Sequence, residues 1–135
     1  MSYKIQDIEG IGPAFAEKLA AAEITTTDDL LQRASDPAGR KAIAEATGLN
    51  AAQILKWANM ADLMRINGVG GQYSELLKGA GVDTIKELRT RNAANLAAKM
   101  KEVNGEKKLA KNSPSESMVA GWIETAKGLD PKLTY

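Results

Sequence analysis

The sequence contains no cysteine and no histidine. Without cysteine, the chain forms no disulfide and offers no thiolate to a metal ion. Without histidine, it lacks the commonest general base and the commonest metal ligand. The remaining carboxylates and amines are scattered, and their spacing predicts that most lie on solvated helix faces. The sequence shows no pairing of a nucleophile with a base and no acidic cluster for a metal ion. We therefore expect a protein that is not an enzyme and that has no metal site and no cofactor.

Aromatic residues are also scarce, at 4% of the 135 residues, and no apolar stretch is long enough to span a membrane. The N-terminus becomes polar within a few residues, which predicts no signal peptide. These absences predict a cytoplasmic protein with no membrane partner. The hydrophobic fraction is nevertheless 44%, which is ample for a buried core of one compact domain or two small units.

The charge of the chain is nearly balanced, at +1 overall. Residues 1–68 carry 7 Lys and Arg against 9 Asp and Glu, whereas residues 69–135 carry 11 against 8. A protein dedicated to nucleic acid usually shows a stronger basic bias. Any binding of nucleic acid is therefore expected to be weak.

The chain contains an internal repeat. Ile8–Gly12 and Ile66–Gly70 share one pattern, in which two glycines flank an aliphatic residue. An offset of 58 residues places 8–33 on 66–91, and such self-similarity is typical of a duplicated supersecondary unit. The identical pairs are Ile8/Ile66, Gly10/Gly68, Gly12/Gly70, Glu17/Glu75, Leu19/Leu77, Ala22/Ala80, Thr26/Thr84, Leu30/Leu88 and Arg33/Arg91. Beyond this segment, Trp57 matches Trp122 at an offset of 65, which predicts seven extra residues within 92–114.

Capping residues and apolar periodicity predict helices throughout and no strand. Pro13 suits the first position of a helix that runs to about Ala22. Thr26 with Asp29 fits a capping box at the next helix start. The other predicted starts are Asp36-Pro37, Asn50, Gly71, Thr84, Ala93 and Ser113–Glu116. Each copy therefore reads as a glycine turn followed by helices, the last of which carries one tryptophan.

The pattern hydrophobic-x-Gly-hydrophobic-Gly, followed by an apolar helix, resembles the helix-hairpin-helix motif. Ile66–Gly70, with the helix 50–65 before it and 71–80 after it, is the fuller match. Over nearly the whole chain the sequence is similar to a family of small, mostly bacterial, tandem helix-hairpin-helix proteins of unknown function. The resemblance implies an all-α fold in which two such repeats, 1–65 and 66–135, pack into one compact helical domain.

In DNA-binding relatives of the motif, the backbone amides of the hairpin hold a phosphate. A bare helix start is a favourable place for an anion in any case. The resemblance implies amide donors in both turns, at Gly10, Ile11, Gly12, Gly68, Val69, Gly70 and Gly71. The basic position of the motif falls near Ala14 or Gln72, and neither is basic. Gln72 can donate a hydrogen bond, and the cations that remain as candidates are Arg65 before the second turn and Lys18 and Lys78 further along the exit helices. The second turn is favoured because Glu9 lies inside the first, whereas the second contains no carboxylate.

Purely structural interpretations of these residues stay open. Gly10 and Gly68 permit positive φ, and Gly12 and Gly70 permit close helix approach, whether or not a ligand binds. Trp57 and Trp122 lie on amphipathic helices, so we expect them in the core rather than stacked on bases. Two functions follow. The first is a non-catalytic module that binds double-stranded DNA weakly, without sequence preference and in a salt-sensitive way. The alternative is a protein-interaction or scaffold module, bound to another protein or to itself.

Overall fold

The computed structural model describes residues 3–135, and they form an all-α fold without a strand. A short 3-10 helix spans Ile5–Asp7. The helices that follow are α1 (Pro13–Ala21), α2 (Thr27–Arg33), α3 (Pro37–Thr47), α4 (Ala51–Leu63), α5 (Gly71–Gly79), α6 (Ile85–Leu88), α7 (Ala93–Lys107) and α8 (Glu116–Lys127). Within residues 3–135, no helix combines the length and the apolar composition needed to cross a bilayer.

The predicted capping residues begin the helices as expected. Thr26 accepts a hydrogen bond from the Asp29 backbone N–H at 3.1 Å, and the Thr26 N–H donates to the Asp29 carboxylate at 3.2 Å. The Thr25 N–H also donates to that carboxylate, and this bond is the main reason why the pKa of Asp29 lies below its usual range. Asp36 caps α3 through the Gly39 N–H at 2.7 Å. These bonds satisfy N–H groups that a helix start leaves unpaired.

Left-handed backbone conformations recur at fixed intervals along the chain. Gly10 and Gly68, 58 residues apart, have φ values of +95° and +91°. The same offset relates Glu23, at +65°, to Gly81, at +94°. Gly48 and Lys108 end α3 and α7 in the left-handed region at an offset of 60. The offset between the two copies then increases from 60 to 65 between Lys108 and the start of α8. The extra residues therefore fall mostly in the segment between those two points.

The buried apolar residues form two clusters. One draws on residues between Ile5 and Met64, and the other on residues between Leu63 and Ala126. In the first cluster α4 packs against α2 and α3, and in the second α7 packs against α8 and α5. Helix α4 also packs against α5 and so links the two clusters. The aliphatic residues of the turn before α1, Ile8 and Ile11, belong to the first cluster, and those of the turn before α5, Ile66 and Val69, belong to the second.

The last residues of the chain return to the first cluster. The Thr134 N–H donates to the Ser35 carbonyl at 2.8 Å. The Arg40 side chain, only 5% exposed, donates to the carbonyls of Ala34 at 2.9 Å and Thr134 at 2.7 Å. Leu133 packs on the same cluster. A buried cation is thus stabilised by carbonyl oxygens from two distant parts of the chain.

Candidate nucleic-acid interface

Each glycine turn is closed by one internal hydrogen bond. The Ile11 N–H donates to the Ile8 carbonyl at 3.1 Å, and the Val69 N–H donates to the Ile66 carbonyl at 3.0 Å. Both aliphatic side chains are buried. Their amides were predicted to face a ligand, and that part of the prediction is wrong, because the turn itself uses these two donors.

A tryptophan lies beneath each turn. A methyl group placed on Gly10 would lie 3.6 Å from Trp57 Nε1, and one placed on Gly68 would lie 3.6 Å from Trp122 Nε1. The two indoles are 1% and 5% exposed. The ring of Phe15 packs on Trp57 at a centroid distance of 5.3 Å. The expectation that both tryptophans belong to the core is confirmed, since neither is accessible for stacking on a base.

The second glycine of each turn is the N-cap of the following helix. Gly12 and Gly70 have φ values of −85° and −95°, and no side chain of residues 3–135 caps α1 or α5. A methyl group on either glycine would meet no atom of these residues within 4 Å. Glycine at these two positions would permit another helix to pack closely, but no helix of the described residues does so. Instead, open space lies beside each of the two helix starts.

Several amides at these starts are unpaired. Within the described part of the chain, no backbone hydrogen bond is donated by Gly10, Gly12, Gly68, Gly70 or Gly71. Gln72, the second residue of α5, is exposed beside them. Both helix starts can therefore donate to an external acceptor, as helix N-termini generally can.

The first turn supplies a carboxylate to the second. A methyl group on Gly71 would collide with the Asp7 carbonyl oxygen and would lie 3.5 Å from Glu9 Oε1. The second turn contains no carboxylate in its own sequence, as expected, but the fold places the Glu9 carboxylate of the first turn beside it. The carboxylate comes from a residue that is 62 positions away in sequence, so inspection of the second turn alone could not reveal it.

The three predicted cations are not grouped around the turns. Lys18 is exposed on α1. Arg65 donates to the Asp62 carboxylate at 3.1 Å and to the Asp130 carbonyl at 2.9 Å. Lys78 belongs to the last turn of α5, at the opposite end from Gly71, and lines a cavity against α4. Only Lys18 is therefore both exposed and close in sequence to a turn.

The surroundings of Lys78 disfavour its charge. Burial lowers the pKa of Lys78 below its ordinary value, and the neighbouring Lys56 ammonium lowers it further. Glu75 and Asp83 act in the opposite direction. Lys56 was not among the predicted site residues, and its proximity to Lys78 depends on how α4 packs against α5.

One feature of the sequence indicates the close contact between Asp7 and the start of α5. At the offset of 58 residues, Gly71 corresponds to Pro13. Glycine replaces proline at the first position of α5, where the backbone of another segment lies against the helix start. Only a residue without a side chain fits at this contact.

Among the described residues, no group of three or more acidic side chains is arranged to hold a metal ion. No similarity was found to a curated protein or to a solved structure. A family model, by contrast, matches residues 9–129, which include both turns and all eight α-helices. The chain accordingly belongs to the family described as a domain of unknown function, DUF4332.

Proposed function

We propose that the protein is a non-catalytic module of two helix-hairpin-helix units, 1–65 and 66–135, that binds double-stranded DNA weakly through backbone phosphates. The binding is independent of sequence, because amide-to-phosphate contacts position a duplex without reading its bases. The recurrence of positive φ at Gly10 and Gly68, each above a buried tryptophan, supports the assignment of two equivalent units.

One observation carries the proposal. Two helix starts have unpaired N–H groups, and the glycine at each N-cap leaves open space beside them. Neither Gly12 nor Gly70 has a backbone conformation that requires glycine, and neither packs closely against the chain. A phosphate oxygen that approaches the amides would use the space that a side chain otherwise fills.

The charges near the turns explain why the binding is weak. Asp7 and Glu9 are exposed, and the Glu9 carboxylate lies beside the start of α5. Lys18 is the exposed cation of α1, whereas Arg65 is engaged by Asp62 and Asp130. Few phosphates would be neutralised, so the affinity is low, and the binding that occurs at low salt is lost as the salt concentration rises.

The first prediction concerns the double variant Gly12→Asp with Gly70→Asp. An aspartate at an N-cap accepts the N–H groups of its own helix and repels a phosphate, while it stabilises the helix slightly. We expect affinity for a fluorescent duplex of mixed sequence to fall roughly tenfold or more at low salt. Fluorescence anisotropy measures the binding, and thermal unfolding shows that the fold is retained.

The matched control is Asn50→Asp combined with Asn92→Asp, which adds the same two negative charges at the N-caps of α4 and α7. We expect this control to bind the duplex nearly as well as the unaltered protein. Equal affinity of the double variant and the control would contradict phosphate binding at the turns. A flat titration of the unaltered protein at low salt would remove the proposal altogether.

A second candidate function is a protein-interaction module, and one observation favours it. The Glu9 carboxylate beside Gly71 lies where a phosphate would approach α5. A helix start that already faces an acid fits a partner with donor groups better than it fits a polyanion. The partner would then be another protein or a second copy of this chain.

Glu9→Gln separates the two candidates. If the turns bind phosphate, removal of this charge is expected to raise duplex affinity about two- to fivefold at low salt. This is the size of effect that a single charge has at a helix start. Glu45→Gln, on the exposed face of α3, is the control and should have no such effect. The interaction module predicts instead a homodimer or a co-purifying partner whose association tolerates salt, and a protein that stays monomeric and recovers no partner would contradict it.

A further inference from the structure

A small cavity between α4 and α5 is lined by two lysines. Its volume is about 190 Å³, and its lining includes Lys56, Asn59, Lys78 and Asp83. The volume is several times that of one water molecule in the liquid, which is about 30 Å³. The cavity can therefore hold a small polyatomic ion.

The two ammonium groups share the cavity without a close carboxylate partner. Within residues 3–135, neither Lys56 nor Lys78 forms an ion pair within 4.0 Å. Lys78 is half-buried and Lys56 is exposed, and the Lys56 ammonium disfavours the charge of Lys78. An anion between them would relieve this repulsion, because it attracts both charges at once.

The polar groups at the cavity are mostly donors. Asn59 Oδ1 already accepts a hydrogen bond from the Tyr135 hydroxyl at 3.0 Å, so the Asn59 amide group has its N–H donors to offer. Lys56 and Lys78 bring further donors. Asp83 is the exception, since its carboxylate only accepts when it is ionised.

We propose that this cavity is a binding site for the hydrogen phosphate ion, held by Lys56, Lys78 and Asn59, with Asp83 accepting the ion's own proton. Hydrogen phosphate carries negative oxygens for the three donors and one O–H group for the carboxylate. Sulfate has the same shape and charge but no proton, so Asp83 repels it. The mixture of donors and one acceptor thus selects between two similar ions.

This site is separate from the glycine turns. Lys78 lies seven residues along α5 from Gly71, which corresponds to about 10 Å of helix. The proposal therefore does not depend on whether the turns bind DNA.

Calorimetric titration with sodium phosphate and with sodium sulfate, at constant ionic strength, tests the assignment. We expect saturable phosphate binding at a single site, weakened at least about tenfold in Lys56→Gln and in Lys78→Gln by loss of one charge-assisted contact. Lys41→Gln removes an exposed lysine of α3 and is the control that should bind normally. Absence of saturable binding, or equal affinity of Lys56→Gln and the control, would overturn the proposal.

Asp83→Ala provides a test with opposite signs. We expect it to weaken phosphate binding, because the acceptor for the phosphate proton is lost, and to strengthen sulfate binding, because a repelling charge is removed. Thermal unfolding without added anion checks that the fold is intact. Changes of phosphate and sulfate affinity in the same direction would overturn the role of Asp83 and with it the assignment to hydrogen phosphate.

Discussion

Asp62→Ala is expected to lower the free energy of unfolding by about 3–5 kcal/mol, because it removes one partner of a buried ion pair. The Asp62 side chain is 3% exposed and its partner, the Arg65 side chain, is 13% exposed. The carboxylate accepts from Arg65 at 3.1 Å and from the Ile85 N–H, at the start of α6, at 2.9 Å. Without it, the Ile85 amide loses its acceptor, and the guanidinium group loses the carboxylate and keeps only the Asp130 carbonyl. Urea unfolding followed by circular dichroism measures the effect.

Asp62→Asn distinguishes the charge from the hydrogen bonds. Asparagine has nearly the same shape and keeps one oxygen that can accept from the Ile85 N–H. We expect a smaller loss than for alanine, of about 1–3 kcal/mol. Asp130→Ala serves as a surface control, since Arg65 contacts the carbonyl of Asp130 rather than its side chain. A loss below about 1 kcal/mol in Asp62→Ala would show that the buried pair does not stabilise the fold.

Gly71→Ala is expected to destabilise the protein by about 1–3 kcal/mol, as overpacking of a close contact usually does. The added methyl group would collide with the Asp7 carbonyl, so the segment before the first turn must move away from α5. Amide chemical shifts of Asp7 and Ile8 in a ¹⁵N-labelled sample would report that movement, and thermal unfolding would give the change in stability.

The neighbouring glycine is the matched control. A methyl group on Gly70 would meet nothing within 4 Å, and the φ of −95° suits alanine. Gly70→Ala should therefore leave the shifts of Asp7 unchanged and cost no more than the difference between two N-cap residues, about 1 kcal/mol. If Gly71→Ala were neutral or stabilising, the contact between the first turn and α5 would not be a close one.

Features that depend on neighbouring residues were predictable. The capping box at Thr26 and the start of α3 at Asp36 each involve bonds that span three residues. The positive φ values at Gly10 and Gly68 follow from a turn that only a few adjacent residues define. Burial of Trp57 follows from its place on an apolar helix face. The caps, the positive φ values and the burial of Trp57 each depend on residues that lie close together in sequence, so they can be predicted from a short stretch of it.

Features that depend on packing were not predictable. Glu9 lies beside Gly71, and Lys56 lies beside Lys78, only because separate helices meet at particular distances. The sequence pattern located the bare helix starts but not the charges that surround them. The Glu9 carboxylate beside Gly71 therefore removes the advantage that the second turn has over the first in sequence.

The contact between Arg40 and Thr134 has a consequence for how the chain matures. Arg40 is synthesised early, yet one of its two backbone acceptors belongs to residue 134. Until the ribosome has released that residue, the guanidinium group lacks an acceptor that its site in the native state requires. Complete dehydration of Arg40 must therefore be a late event of folding, and a nascent chain that stops short of this residue leaves a charged group in contact with water.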